Sequence, residues 1–184
     1  WEHPDLYRFL SDLSRYFDHP ITDHSLGLSP EDLCVREKTL ANNRLPFCSR
    51  MLKAEMLKTF FEDGDTIVFG IGPHEPHRAV RIANVYRLTA KKTDCTLNVV
   101  FPLIQEQVDS AQVDAFLAST GIEQPLLYKL GFTHNNCSGG CVRAGKKQWK
   151  LLYEKLPEVY ADRERVENLL REMTGKDIHF IKDE

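Results

Sequence analysis

The sequence lacks any apolar run approaching the roughly 20 residues that cross a bilayer, and it reads as a chain with no membrane partner. It also lacks an excess of positive charge. Its 24 Lys and Arg against 27 Asp and Glu give a formal net charge of −3. That excludes the whole-chain basic field of a dedicated nucleic-acid binder and leaves a local basic face open. Trp1-Glu2-His3-Pro4 has neither the basic n-region nor the apolar h-region of a secretory signal. Cysteine is scarce and odd in number: Cys34, Cys48, Cys95, Cys137 and Cys141. Without an export signal, such a set predicts reduced thiols in a cytoplasmic setting rather than a disulfide framework.

What is present suits a globular domain. Hydrophobic residues make up 42% and charged residues 28%, enough to bury a real core. Apolar spacing predicts helices over Pro4–Phe17, Cys48–Phe61, Glu75–Tyr86, Val108–Ser119, Lys146–Leu156 and Pro157–Met173. Ser29-Pro30-Glu31-Asp32 starts another as a capped helix. The nearly continuous apolar runs Thr66–Ile71 and Cys95–Leu103 read as strands covered on both faces. Pro20–Thr22 and Asp177–Ile181 read as short strands. Strands alternating with helices of this length predict an α/β fold, a parallel sheet flanked by helices. Ligands of such sheets bind beyond the carboxyl ends of the strands, near Gly70–Glu75 and Pro102-Leu103.

Four segments are candidates to carry chemistry. Arg44 to Lys53 gathers Cys48 with Arg44, Arg50 and Lys53 at the start of a helix. A thiol there is expected to have a lowered pKa, with the cations free to hold phosphate or sulfate; a merely solvated polar face is the plainer reading. Gly70-Ile71-Gly72-Pro73-His74-Glu75-Pro76-His77-Arg78 joins a strand to a helix. Gly70 and Gly72 would let the backbone approach a ligand, and Glu75 and Arg78 share a helix face. Gly131 to Gly145 contains Cys137-Ser138-Gly139-Gly140-Cys141. Its glycines permit the left-handed turns that wrap sulfurs about a metal; a redox pair, zinc or a metal-free turn fits as well. Cys48 is the natural third thiol. Three cysteines could hold a 4Fe–4S cluster with one iron open. Lys146, Lys147, Lys150 and Lys155 beside Trp149 and Tyr153 admit a polyanion contact, although a solvated helix with Trp149 in the core is the simpler reading.

Taken in order, Trp1-Glu2-His3-Pro4-Asp5, Cys48-Ser49-Arg50 with Leu52-Lys53, the GIGPHEPHR turn, Phe101-Pro102-Leu103-Ile104 and GFTHNNCSGGCVRAGKKQW resemble the phosphoadenosine-phosphosulfate reductase family. That family lies within the adenine nucleotide α-hydrolase-like superfamily. The resemblance implies a bound adenine nucleotide, ATP or an adenylyl sulfate, and chemistry that reduces or transfers sulfur. It implies nucleotide-site roles for Arg50, Lys53, Gly70, Gly72, Glu75 and Arg78, and sulfur or cluster roles for Cys48, Cys137 and Cys141. It also implies one incomplete domain over residues 1–184, since the family's SGGKDS-like phosphate loop is missing, and Gly72 stands where an arginine is common. An ATP-dependent tRNA or DNA sulfurtransferase and a non-catalytic binding or scaffold subunit are the alternatives. A homo-oligomer or a partner subunit that supplies the phosphate loop is compatible with both.

Overall fold

Local signals set most helix starts. Ser29 caps α2 (Pro30–Arg36) through a reciprocal box with Asp32, and Asp109 does the same with Gln112 for α7 (Ser110–Thr120). Proline occupies the first turn of α1 (Pro4–Tyr16), α5 (Pro76–Thr93) and α10 (Pro157–Thr174), where its missing N–H costs nothing. The computed structural model describes residues 1–42 and 45–181. Helix accounts for 56% of them. None of these helices is long and apolar enough to cross a membrane.

The chain divides into two compact units, Trp1–Met56 with Ile122–Glu184, and Leu57–Gly121. The boundary falls inside a helical stretch made of α3 (Phe47–Ser49), a π-helical segment (Arg50–Glu55) and α4 (Met56–Lys58).

In the first unit α10 packs against α2 and against α9 (Lys146–Lys155). One core gathers Leu33, Cys34, Leu40, Ala41, Phe47 and Leu170. A second gathers Leu127 of α8 (Leu126–Lys129) with Phe132, Trp149 and Leu152. The N-terminus is tied into this unit. Asp5 accepts the Leu126 N–H at 2.6 Å, and Arg8 donates to the carbonyls of Glu123 and Gln124.

The second unit contains β1 (Thr66–Val68), β2 (Asn98–Val100), the short α6 (Pro102–Gln105), α5 and α7. Its aromatic centre is Tyr86 against Phe61 and Phe69, with Phe69 stacked on Phe101.

The expected sheet is corrected here. Among the described residues the strands form one parallel pair, β1–β2, three residues each, in a mostly helical chain rather than a sheet flanked by helices. Parallel strands persist where both faces are covered and neighbours continue the ladder. β1 instead leaves Val68 62% exposed and has β2 as its partner. Beyond the ladder, the Phe69 N–H still donates to the Val100 carbonyl at 3.0 Å, after which the chain leaves β2 and Ile71 is buried by packing. The two short outer strands are absent as well. Residues 20–22 are exposed and irregular. Residues 177–181 find their backbone partners on α10 side chains: Arg171 donates to the Ile178 carbonyl at 2.9 Å, and Glu167 accepts the Phe180 N–H at 2.8 Å. A segment whose polar groups are met that way needs no strand neighbour.

Candidate functional site

Cys137 and Ser138 both take left-handed backbone conformations (φ 53° and 50°), followed by Gly139 at φ 87°. Two non-glycine residues in that region cost about 1 kcal/mol or more each, so the surroundings must hold them. Several bonds do. The Cys137 N–H donates to Glu2 at 2.5 Å, and the Ser138 hydroxyl donates to the Trp1 carbonyl at 2.8 Å. Gly139 and Gly140 donate back to the carbonyls of Asn136 and Cys137. The glycines are required sterically. A Cβ on Gly139 would stand 2.7 Å from the Phe132 ring, and one on Gly140 would stand 2.8 Å from Arg163 Nε.

This turn brings the two loop thiols together. The two thiols influence each other: the neighbouring Cys141 together with burial pushes Cys137 well above the usual thiol range. The neighbouring Cys137 pulls Cys141 down, helped by the Arg143 backbone N–H and by His134 and Lys53. Cys48 lies within electrostatic reach of Cys141. Its own thiol runs against expectation: burial pushes it up, and the Ser49 backbone and Lys53 only partly offset this. The lowered thiol is therefore Cys141 rather than the one at the helix start. Cys34, 1% exposed in the core and pushed up to about 11 by burial, is a small hydrophobe.

Of the expected cations, Lys53 is exposed 3.9 Å from Glu2 and Arg50 is exposed on the π-helical segment. Such a segment often marks a functional position. Arg44 lies outside the described residues. Gly70, Gly72, Glu75 and Arg78 belong to the second unit. There Arg78 pairs with Glu75 at 2.5 Å across one helix turn, holding that carboxyl below its ordinary range. A Cβ on Gly70 would meet nothing within 4 Å, and one on Gly72 would meet only the His74 ring. Trp149 is buried, while the lysines of α9 are exposed, as the simpler reading of that helix expects.

Sequence reasoning missed Arg163, Glu31 and His134. Arg163 lies in α10 within an alternating run of charges, Asp162-Arg163-Glu164-Arg165, which reads as solvated surface. Yet its guanidinium is buried, pairs with Glu31, sits 3.7 Å over the Trp1 ring and donates to the Cys137 carbonyl at 3.2 Å. His134 Nε2 is buried without a partner among the described residues. The Trp1-Glu2 contacts had a signal, since that dipeptide opens the first of the ordered motifs.

Cys48, Cys137 and His134 each act electrostatically on Cys141, and three thiols with an orphaned imidazole nitrogen are donors of the right kind for a cluster or a soft metal. The set is not preassembled. Among the described residues no group of three His, Cys, Asp or Glu side chains stands ready to hold a metal ion. No family model, no curated protein and no solved structure matches the chain.

Proposed function

We propose that the chain is a sulfur-handling protein similar to the phosphoadenosine-phosphosulfate reductases, working through Cys48, Cys137 and Cys141. The observation that carries this reading is the turn braced by Glu2, Trp1 and Arg163, which holds Cys137 in the same short loop as Cys141, the thiol drawn toward its thiolate. The Cys141 thiolate attacks the electrophilic sulfur of a donor. An S–S bond forms, and the donor's leaving group departs with the bonding electron pair. Cys137, once deprotonated, then attacks Cys141 Sγ. That step closes a Cys137–Cys141 disulfide and releases the delivered sulfur group with its electron pair, the two thiols having supplied two electrons. Lys53 and Arg50 meet the anionic part of the donor. The cytoplasm is the setting in which such thiols stay reduced.

Where a 4Fe–4S cluster is loaded, Cys48, Cys137 and Cys141 are the residues that would hold it, and an iron left open supplies a binding point for sulfur. The same reading assigns an adenine nucleotide, ATP or an adenylyl sulfate, to Gly70, Gly72, Glu75 and Arg78 of the second unit. The open approach at Gly70 supports it.

Peptide mass spectrometry after incubation with a persulfide donor tests the thiol assignment. Cys137→Ser is expected to accumulate sulfur on Cys141, and Cys141→Ser to take up none there. Equal loading of every cysteine, or of none, would leave a non-catalytic subunit as the better account. Iron and acid-labile sulfide on anaerobically purified protein read the cluster separately. A nucleic-acid acceptor is a second reading, favoured by the exposed Lys146, Lys147, Lys150 and Lys155 and by Tyr153, 62% exposed on the same helix. RNA binding that weakens steeply with salt would support it.

A further inference from the structure

Arg163 occupies an expensive position. Its side chain is 5% exposed, and burial pushes its pKa down against the pull of Glu31. Buried ion pairs are poor sources of stability, since well-packed apolar side chains often replace them without loss. Something other than stability is therefore a better reason for a guanidinium here.

The planar fork serves three directions at once. One Nη pairs with Glu31 of α2, and the other donates to the Cys137 carbonyl at 3.2 Å. The plane lies 3.7 Å over Trp1. Nε faces Gly140 so closely that a Cβ there would stand 2.8 Å away. The Cys137 carbonyl it holds is the one that also accepts from Gly140 N at 2.9 Å. It belongs to the peptide joining the two strained left-handed residues, Cys137 and Ser138, four and three positions before Cys141. Lysine, a point charge on a flexible stem, cannot serve the same directions.

We infer that Arg163 is the positioning residue of the thiol loop, fixing the Cys137 peptide so that the Cys137 and Cys141 sulfurs face each other. This rests on the thiol reading above, and it is tested without any sulfur donor. The full chain is equilibrated with glutathione buffers. Closure of the Cys137–Cys141 disulfide passes two electrons and two protons to oxidised glutathione, yielding two reduced glutathiones. The equilibrium constant measures how well the sulfurs are placed.

Arg163→Gln and Arg163→Lys are expected to lower that constant roughly tenfold, as displaced reacting groups do. Glu31→Gln, which disturbs the same buried pair but leaves the Cys137 contact, should lower thermal stability and leave the constant unchanged. Arg163→Lys keeps the charge beside Glu31 and carries the test if Arg163→Gln does not fold. The proposal is overturned if the Arg163 variants match the parent chain, if Glu31→Gln shifts the constant as much, or if the parent pair never closes. Failure of sulfur transfer with the constant still dependent on Arg163 would overturn the functional reading alone.

Discussion

The Cys137 N–H and the Glu2 carboxylate meet at 2.5 Å across 135 positions of the sequence. A carboxylate on a backbone donor makes a charge-assisted bond, and this one braces a strained turn from outside. Glu2→Ala is expected to cost about 1–2 kcal/mol, with Glu2→Gln recovering much of it. Chemical denaturation at neutral pH checks both. Equal stability of Glu2→Ala and the parent would show that the turn holds itself.

The loop thiols should differ in their pH profiles. In reduced, metal-free protein Cys141 is pulled down to about 6. Above that pH it is the thiolate, and below it the reactive form is lost. Its alkylation rate should therefore stay near plateau into mildly acid solution, where an ordinary thiol of pKa about 8.5 has lost most of its reactivity. Cys137→Ala removes the neighbouring thiol that lowers Cys141 and should move the Cys141 midpoint upward toward that ordinary value. Site-resolved alkylation with mass spectrometry reads both curves. Coincident midpoints in the parent and the variant would show that Cys137 does not set the Cys141 pKa.

The glycines separate into two kinds. Gly139→Ala forces a Cβ to 2.7 Å from the ring of buried Phe132 at a left-handed position. It is expected to destabilise the chain by about 2–3 kcal/mol. Gly70→Ala meets open space at an ordinary φ and should be neutral for folding. A loss of nucleotide binding in Gly70→Ala at unchanged stability would mark that glycine as a ligand contact. Thermal melts and nucleotide titration distinguish the cases.

Asp5 couples acid stability to the N-terminal helix. The bond from Arg8, with the Leu126 N–H, lowers its pKa to about 2. A carboxyl depressed in the folded state contributes stability above its unfolded pKa, here 3.8, and loses it as pH falls through the folded value. The group is solvent-accessible, so the contribution is about 1 kcal/mol or less. Asp5→Asn should show its deficit at pH 6, and the gap to the parent should close between pH ~4 and 2. A deficit that stays constant through that window would contradict the assignment.

Helix starts were legible where their signals are local, at Ser29 with Pro30 and at the first-turn prolines 4, 76 and 157; the Asp109 cap was not read, and that helix starts at Ser110 rather than Val108. The sheet was not. An apolar run such as Thr66–Ile71 satisfies a buried strand and a coil packed on aromatics equally well, and periodicity alone does not separate them. Here three residues form the ladder, Phe69 adds one more bond to Val100 while its ring packs on Tyr86, and the pairing ends there. At the site, the glycine-flanked thiols announced themselves by spacing. Which thiol is activated did not, because burial of Cys48 outweighs its helix position and neighbouring lysine. Arg163 left no local trace. Its neighbours in sequence are exposed or half-buried charges, and only tertiary packing turns it inward.

A short bifunctional thiol cross-linker applied to the reduced chain asks whether position 48 and the loop share one site. Peptide mapping is expected to recover Cys48 bridged to Cys141, and Cys141→Ser should abolish that product. Cys48 recovered only with a single capped arm, at full modification of Cys141, would separate the thiols and contradict the account.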